Sequence, residues 1–406
     1  VDVVKQQVGE EIEEEKRILR YRESLREIFF PISIEDLKEV LGITIKRDVE
    51  NKILTFLCCL SAYTENNQFN VSFNAPSSTG KSYIPLEIAS LFPQEDVIKI
   101  GYCSPTAFFH DRGEFLEVIG GYYINLERKI LIFLDQPHDG LLQHLRPLLS
   151  HDEKEIHVKI TDKKEKRGLR TKNVIIKGFP AVIFCSAKLR MDEQETSRFL
   201  LLSPEVTQEK IREGIIEAIY RETDREAYFK ELGMNPKRRE LIERIKAIKE
   251  EHVTEVKIHA PELIKKRFLS RYRVLSPKHQ RDVKRLCGII KALALLNLWY
   301  RKSDGLAIFT SDEDINIGFE IWERISDSQE LNLPPFVYEL FNNVILPLYK
   351  DKGEGLARKE IIQEYIQRYN RVLSEWQLRR DILPMLEMAG LITQEQAHFD
   401  KRTKLV

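Results

Sequence analysis

The sequence lacks the features of membrane and disulfide-rich proteins. No apolar run approaches the ~20 residues that a membrane-spanning helix needs, so we expect no membrane partner. Cysteine is scarce, odd in number and without a Cys-x-x-Cys pair. These residues lie in apolar surroundings: Cys58, Cys59, Cys103, Cys185 and Cys287. The pattern argues against disulfides and zinc and predicts buried thiols in a reducing, cytoplasmic compartment.

Net charge is also missing, because 64 Lys and Arg residues balance 64 Asp and Glu residues. Any basic binding surface must therefore be local. A length of 406 residues with 42% hydrophobic content predicts two or three domains with ample cores. Patterning divides the chain into a helical segment (1–68), a stretch of alternating strands and helices (69–205), a helical stretch (206–330) and a compact module (333–406). The alternation predicts an α/β core with a parallel sheet and flanking helices.

A phosphate-binding loop follows the first predicted strand. Asn74–Ser82 fits Gly-x-x-x-x-Gly-Lys-Ser/Thr except that Ala75 replaces the first glycine. The apolar run Phe69–Phe73 predicts the preceding strand, and Tyr83–Leu91 predicts the following helix. We expect ATP contacts from Ala75, Pro76, Ser77, Ser78, Thr79, Gly80, Lys81, Ser82 and Tyr83. Lys81 would bind the β- and γ-phosphates and Ser82 would bind Mg²⁺, although a Gly-Lys-Ser triplet alone also occurs in solvated turns.

A second buried strand, Lys129–Leu134, ends in Asp135. A carboxylate at this place is where a Walker B aspartate holds Mg²⁺, although such an aspartate is also a common turn former. Gln136 follows where most such ATPases carry a catalytic glutamate. Glutamine can orient the attacking water but cannot accept its proton, so hydrolysis is less secure than nucleotide binding. Three other residues remain open as the base: Glu127, His138 and Asp139.

A third buried strand, Ala181–Cys185, ends in Ser186, with Lys188 close behind. This is the form of a sensor that hydrogen-bonds the attacking water or the γ-phosphate, and a serine that begins a turn is the alternative. The tripeptide Ser197-Arg198-Phe199 comes next. Its arginine is either a finger or a surface residue that pairs with Glu195.

This order of motifs resembles the AAA+ ATPases, and within them the MCM-like helicase group that includes helicases of mobile genetic elements. The resemblance covers roughly residues 35–406, with departures at Ala75, Gln136 and Ser186. It implies ATP and Mg²⁺ as cofactors. It also implies that Arg198 reaches into the nucleotide of a neighbouring subunit, so that the protein is a homo-oligomer, in this family a hexamer.

Two further segments extend the resemblance. Residues 276–286 open the apolar helix Cys287–Tyr300 of a helical lid, and the resemblance implies that Arg281 is a second sensor arginine, with Arg285 as the alternative. The segment His157–Lys177 predicts a β-hairpin that the family projects into a central pore along DNA. The cations of this hairpin are Lys159, Lys163, Lys164, Lys166, Arg167, Arg170, Lys172 and Lys177, against two acidic residues. Such a finger suits sequence-independent phosphate contact, although a charged tip is also commonly just solvated.

The C-terminal part resembles a winged helix. Phe336–Tyr349, Arg358–Tyr369 and Ser374–Ala389 predict three helices, and Gln394–Val406 predicts a short β-wing. Pro384 inside the third helix predicts a kink. Contacts with DNA from this module would use Arg379, Arg380, Lys401, Arg402 and Lys404. Winged helices serve equally well as protein-contact modules.

Three functions follow as hypotheses. The first is an ATP-driven, ring-forming helicase or translocase that acts on single-stranded or forked DNA during replication of a mobile element or plasmid. The second is a nucleotide-switched initiator or loader with weak hydrolysis, which Gln136 favours. The third is a signalling or defence ATPase whose winged helix binds protein.

Overall fold

The computed structural model describes residues 21–101, 103–104, 108, 113–135, 139–162, 170–187, 198–396 and 404–406 of the chain. Within these residues, no helix is both long enough and apolar enough to cross a bilayer. All five cysteines are free thiols; Cys58, Cys59 and Cys185 are buried, and Cys103 and Cys287 are partly buried.

The core of the molecule is a parallel five-stranded sheet. Strands of the first half are, in chain order, β1 (Asn70–Asn74), β2 (Val97–Ile100), β3 (Glu114–Leu116), β4 (Gly121–Asn125), β5 (Ile130–Phe133), β6 (Glu155–Asp162), β7 (Arg170–Lys177), β8 (Ala181–Ser186) and β9 (Phe199–Leu202). The central sheet has the order β2–β5–β8–β1–β9 and all its pairs are parallel. Strands β1, β5, β8 and β9 are buried throughout, which explains the mostly apolar sequences of β5, β8 and β9. The prediction of a parallel α/β sheet is confirmed.

Helices flank this sheet. They are, in chain order, α1 (residues 21–28), α2 (Ile34–Gly42), α3 (Val49–Ser61), α4 (Tyr83–Ala89), α5 (Asp139–Leu149), α6 (Gln208–Thr223), α7 (Arg225–Met234), α8 (Pro236–Glu250), α9 (Pro261–Arg271), α10 (His279–Leu296) and α11 (Asp312–Glu330). Helix α3 packs on β1 and β8, and it also contacts α10. One hydrophobic cluster therefore joins the N-terminal helices, one face of the sheet and the helices after β9, with Trp299 and Trp322 fully buried within it.

A second sheet holds two hairpins side by side, in the order β3–β4–β7–β6. Strands β6 and β7 pair antiparallel over eight residues, as the sequence predicted, whereas the β3–β4 hairpin was not predicted. Because β4 and β7 run parallel, their amino ends lie at the same end of this sheet. The absence of a side chain at Gly121 allows β4 to lie close to β7, since a Cβ there would meet the carbonyl oxygen of Asn173 at 2.1 Å.

The region after β9 is less purely helical than expected. A small sheet inserts between its helices, formed by β10 (Glu255–Lys257), β11 (Ser303–Asp304) and β12 (Ala307–Phe309) in the order β10–β12–β11. The cap expected near Thr310–Asp314 is present, because Ser311 and Asp314 form a capping box for α11. Helix α10 begins at His279 rather than at the expected Ser276–Pro277 start.

The outer edge of the central sheet is closed by a side chain. Gln329 of α11 accepts a hydrogen bond from the N–H of Leu201 at 2.9 Å and donates one to its carbonyl oxygen at 2.7 Å. Leu201 lies in the edge strand β9. The amide of Gln329 therefore satisfies main-chain groups that an edge strand would otherwise leave unpaired.

Residues 333–406 carry a hydrophobic cluster of their own. Its helices are α12 (Pro335–Leu340), α13 (Leu346–Lys352), α14 (Arg358–Tyr369), α15 (Glu375–Gln377) and α16 (Leu383–Met388). A π-helical turn joins α12 to α13, and another joins α15 to α16. The turns Phe341–Ile345 and Leu378–Ile382 lie just before Pro347 and Pro384, so a wider turn accommodates residues that cannot donate to the preceding helix. A short ribbon pairs β13 (Glu395–Gln396) with β14 (Lys404–Leu405). The predicted helices and ribbon are present, and the winged-helix assignment stays a prediction.

Candidate nucleotide-binding site

The loop at residues 75–82 leaves the carboxyl end of β1 and turns back into α4. Ser78 and Gly80 adopt left-handed φ angles of 63° and 92°. A Cβ at Gly80 would have open space around it, so its backbone conformation, not crowding, requires the glycine. The Thr79 hydroxyl donates to the Pro76 carbonyl at 3.0 Å and fixes the turn. Ala75 has no left-handed φ angle, so its place in the motif needs no glycine.

The predicted sensor strand lies beside this loop. Asn74 and Ser186 are register partners in β1 and β8, and the N–H of Ala75 donates to the carbonyl oxygen of Ser186 at 3.4 Å. Burial raises the pKa of the Cys185 thiol to about 12, while a hydrogen bond with Ser82 and the positive charge of Lys81 act to lower it. Lys81 and Ser82 therefore lie close to the end of β8.

Asp135 follows β5, which is separated from β1 by the single strand β8. Two strand spacings place Asp135 about 10 Å across the sheet from the start of the loop. Its side chain is exposed. A carboxylate and the Ser82 hydroxyl at one edge are oxygen ligands of the kind that Mg²⁺ uses, so the residues present fit this ion together with its water shell.

The three residues left open as the catalytic base are His138, Asp139 and Glu127. His138 lies outside the described residues, as does Gln136, and Asp139 begins α5. Glu127 lies before β5, at the opposite end of that strand from Asp135, and pairs there with Lys154 and Lys177 at 3.3 and 3.6 Å. This position places Glu127 at the amino end of the sheet, away from the phosphate loop of its own chain.

A pocket of about 680 Å³ opens beside the loop, within the size range of small-molecule sites. Its walls come from the phosphate loop and the start of α4, from the segment before α3, from helix α6 and from the end of α14 with the two residues that follow it. The residues of the first two walls are Ser78, Thr79, Gly80, Tyr83, Ile84, Thr44, Ile45, Lys46 and Asp48. Apolar side chains that line it include Ile45, Ile84, Ile211 and Ile215. A flat apolar group such as a nucleobase fits between these walls, next to a loop built for phosphate. The motif located only the phosphate end of this pocket.

Residues 44–48 form a strained wall. Arg47 and Asp48 both have left-handed φ angles, at 55° and 47°. The buried Asp48 carboxylate accepts hydrogen bonds from Asn51 Nδ2 and from the N–H of Glu205, both at 2.8 Å, and also contacts Lys210. Strain held in this way is common at functional sites. Two consecutive left-handed residues without glycine gave no signal in the sequence.

The predicted finger and second sensor lie at the opposite end of the sheet. A pocket of about 330 Å³ there is lined by Gln68, Phe69, Asn70, Leu149, Ser150, His151, Asp152, Arg198, Arg281, Lys284 and Arg285. Arg198 immediately precedes β9, where Phe199 pairs with Asn70, and its Nε donates to Ser150 Oγ at 2.7 Å. At ~3.3 Å per residue, β1 separates this end from the phosphate loop by about 13 Å. Arg198 and Arg281 are therefore brought together, but away from the loop of their own chain.

The structure separates the two candidates for the second sensor. Arg285 is buried and pairs with Asp282 at 3.0 Å, whereas Arg281 and Lys284 are exposed. Burial and the positive charge of Lys284 lower the pKa of His151 to about 4, so this histidine adds no charge at neutral pH. Arg281 is thus better placed than Arg285 to meet a ligand.

Six of the predicted DNA contacts lie outside the described residues. These are Lys163, Lys164, Lys166 and Arg167 in the hairpin and Lys401 and Arg402 in the C-terminal module. Arg170 and Lys172 belong to β7, and Lys177 at the base of the hairpin pairs with Glu127. In the neighbouring β3–β4 hairpin, Val118 of the turn is 98% exposed and Phe115 of β3 is 51% exposed.

No profile of a known protein family matches this chain. No curated protein is similar enough in sequence to be matched either. Among solved structures, the chain is similar to a full-length MCM homolog from Methanopyrus kandleri, with a TM-score of 0.42 and 13% identity over 72% of this chain. The match spans about three fifths of that protein, 59% of its length. A likeness of this size carries no functional argument.

Proposed function

We propose that this protein is an ATP-dependent DNA helicase or translocase of the AAA+ type whose active site is shared between copies of the chain. The observation that carries the proposal is the division of its phosphate-binding groups between two ends of one sheet. Lys81 and Ser82 lie at the carboxyl end, and Arg198 and Arg281 lie about 13 Å away at the amino end. Such groups act on one nucleotide only if a second copy supplies the arginines.

Each group then has a defined role. The loop and Lys81 hold the phosphates, Ser82 and Asp135 hold Mg²⁺ through oxygen atoms, and Ser186 orients water or the γ-phosphate. Bound Mg²⁺ supplies charge neutralisation at the phosphates. Arg198 from the next copy stabilises the charge that develops in the transition state, and Arg281 adds a second cation. Closed repetition of this contact gives a ring, and a hexamer is the expected number.

The paired hairpins support a role on DNA. The amino ends of β4 and β7 lie at one end of the second sheet, the sequence between β6 and β7 is basic, and the β3–β4 hairpin exposes Val118 and Phe115. Cations suit backbone phosphates and apolar side chains suit unstacked bases, so the pair fits single-stranded or forked DNA. We place the activity in replication of a mobile element or plasmid.

Steady-state ATPase assays with and without single-stranded DNA, together with sizing in ATP and DNA, test the proposal. We expect DNA to stimulate turnover and ATP to produce a ring-sized species. A wild-type protein that binds ATP yet stays monomeric with DNA present would contradict the shared site. Reversing the charges of Lys163, Lys164, Lys166 and Arg167 should weaken DNA binding and flatten its salt dependence.

A nucleotide-switched initiator or loader is the second candidate, because Gln136 stands where a catalytic glutamate is usual. Under this alternative the protein binds ATP tightly and turns it over slowly. Gln136→Glu should then raise the turnover rate sharply. An unchanged rate would indicate that another base already works and would favour the motor.

A further inference from the structure

The C-terminal module reaches the nucleotide pocket through the short loop between α14 and α15. The Arg371 guanidinium donates to the carbonyl oxygen of Ser77, at the tip of the phosphate loop, at 2.6 Å. On the other side, Gln208 at the start of α6 donates to the carbonyl oxygen of Tyr369 at 2.8 Å. Tyr369, Asn370 and Arg371 all line the pocket. One loop of the module is thus fixed to two walls of the same cavity.

The backbone holds Arg371 in this position. Asn370 ends α14 with a left-handed φ of 49°, and its N–H donates to the carbonyl oxygen of Ile366 at 2.7 Å. Two residues after Arg371, Leu373 is buried in the core of the module, and Ser374 caps α15. Because both flanks are anchored, less conformational entropy is lost when Arg371 binds a ligand.

Arg371 also differs from the other cations of the pocket in what it contacts. Lys46 pairs with Glu217 at 3.0 Å, Arg221 pairs with Glu87 at 3.3 Å, and Lys210 pairs with Asp48. Arg371 forms no ion pair with any residue that the structure describes, and its hydrogen bond goes to a neutral carbonyl. A guanidinium offers five N–H donors, and its planar fork matches phosphate oxygens.

We propose that Arg371 binds a phosphate oxygen of the nucleotide held by the loop of its own chain. The C-terminal module then completes the nucleotide site, and its docking responds to whether nucleotide is bound. This inference rests on the proposed nucleotide site, which it extends by one ligand-contacting residue from a part of the chain far from every motif.

Nucleotide titrations of the full chain test the proposal. The variants are Arg371→Ala, Arg371→Lys and the matched control Arg368→Ala. The control removes an exposed arginine of the preceding helix α14, which pairs with Glu364 at 3.0 Å. We expect Arg371→Ala to raise the Kd for ATP about tenfold or more, the size of one charge-assisted hydrogen bond. Arg371→Lys should recover part of the loss, and Arg368→Ala should bind like wild type.

The hydrogen-exchange rate of residues 366–374 is a second measurement, and a change in the overall charge of the protein alone would not alter it. ATP should slow exchange there in wild type and in Arg368→Ala, but not in Arg371→Ala. Wild-type affinity in Arg371→Ala, or an equal loss in both alanine variants, would overturn the inference while leaving the nucleotide site standing. A wild-type chain that binds no ATP would refute the proposed function itself. Matching circular dichroism spectra establish that the variants are folded.

Discussion

The two ends of the central sheet handle charge in opposite ways. At the carboxyl end, the pocket cations Lys46, Lys210 and Arg221 are each matched by a carboxylate within one compact wall. At the amino end, Arg198, Arg281 and Lys284 surround a pocket half the size, and Asp152 is the acidic residue that lines it. Ion pairs neutralise these three cations of the larger pocket, whereas cations outnumber acidic residues around the smaller one. A site divided between copies, as we propose, would require this difference.

The largest effect should come from removing the phosphate-binding cation at either end of the central sheet. Lys81→Ala and Arg198→Ala should each lower steady-state ATP turnover by roughly 10³-fold, the scale of an arginine finger. Mixing the two variants should restore a measurable part of the rate, because a mixed pair contains one interface with both groups intact. Arg273→Ala, at an exposed position before α10, serves as the control. Equal inactivity of the mixture and of the single variants would contradict a shared site.

At the amino end of the sheet, ligand binding and folding should depend on different arginines. Arg281→Ala should lower turnover by about tenfold and leave thermal stability unchanged, because Arg281 is exposed. Arg285→Ala should instead cost ~3–5 kcal/mol of unfolding free energy, because it leaves Asp282 buried without its partner. Measurements of ATP turnover and of thermal unfolding on both variants distinguish the two roles. Loss of stability in Arg281→Ala would assign that residue to the scaffold.

Acidic residues at the carboxyl end predict a pH dependence. Burial, with the nearby charges of Glu205 and Asp48, raises the pKa of Glu339 in α12 to about 7. Glu339 lines a cavity whose other charged residues are Glu50, Glu205, Arg324 and Asp327. The folded state therefore retains a proton that the unfolded chain has lost, so stability should fall as pH rises from about 4.5 to about 7 and then level off.

The expected size is ~2–3 kcal/mol between pH 5 and pH 8. Hydrogen exchange of Pro335–Leu340, compared with Glu339→Gln at each pH, measures the free energy of opening. Glu364→Gln, at a residue that pairs on the surface with Arg368, should keep the wild-type dependence. A dependence that persists in Glu339→Gln would assign the proton to another group, such as Glu205, whose pKa is also raised by burial.

The smallest effect concerns the turn of the phosphate loop. Gly80 and Gly305 both have left-handed φ angles and open space around a hypothetical Cβ. Alanine at either position should cost ~1–2 kcal/mol of stability through backbone strain. Gly80→Ala alone should also weaken ATP binding several-fold, which a titration against Gly305→Ala measures. Equal ATP affinities would show that the loop conformation does not limit binding.

Local patterns predicted the parts of the fold that depend on neighbours in sequence. The apolar runs before the loop, before Asp135 and before Ser186 are β1, β5 and β8, and the hairpin of β6 and β7 is present. Strand β9 was not predicted; its first residue, Phe199, was interpreted as the end of the Ser197-Arg198-Phe199 motif. The short strands β3 and β4 gave too little alternation to be recognised.

The candidate site was predicted only along one stretch of chain. Motif spacing identified Lys81, Ser82 and Asp135, and the structure places their elements at one end of the sheet. The remaining walls, at Thr44–Asp48 and Tyr369–Arg371, come together only through tertiary packing. Their residues have no spacing relative to the motif, and left-handed angles at Arg47 and Asn370 leave no mark in composition.

The amide of Gln329 has a consequence for assembly. Because both main-chain groups of Leu201 are already bonded, a strand from another molecule finds no free donor or acceptor at that position of the edge. A second copy that approached this edge could therefore not extend the sheet by strand pairing at Leu201. A contact between copies at this position would have to be made by side chains. In the proposed ring, such contacts would allow neighbouring copies to separate and rejoin as nucleotide is exchanged.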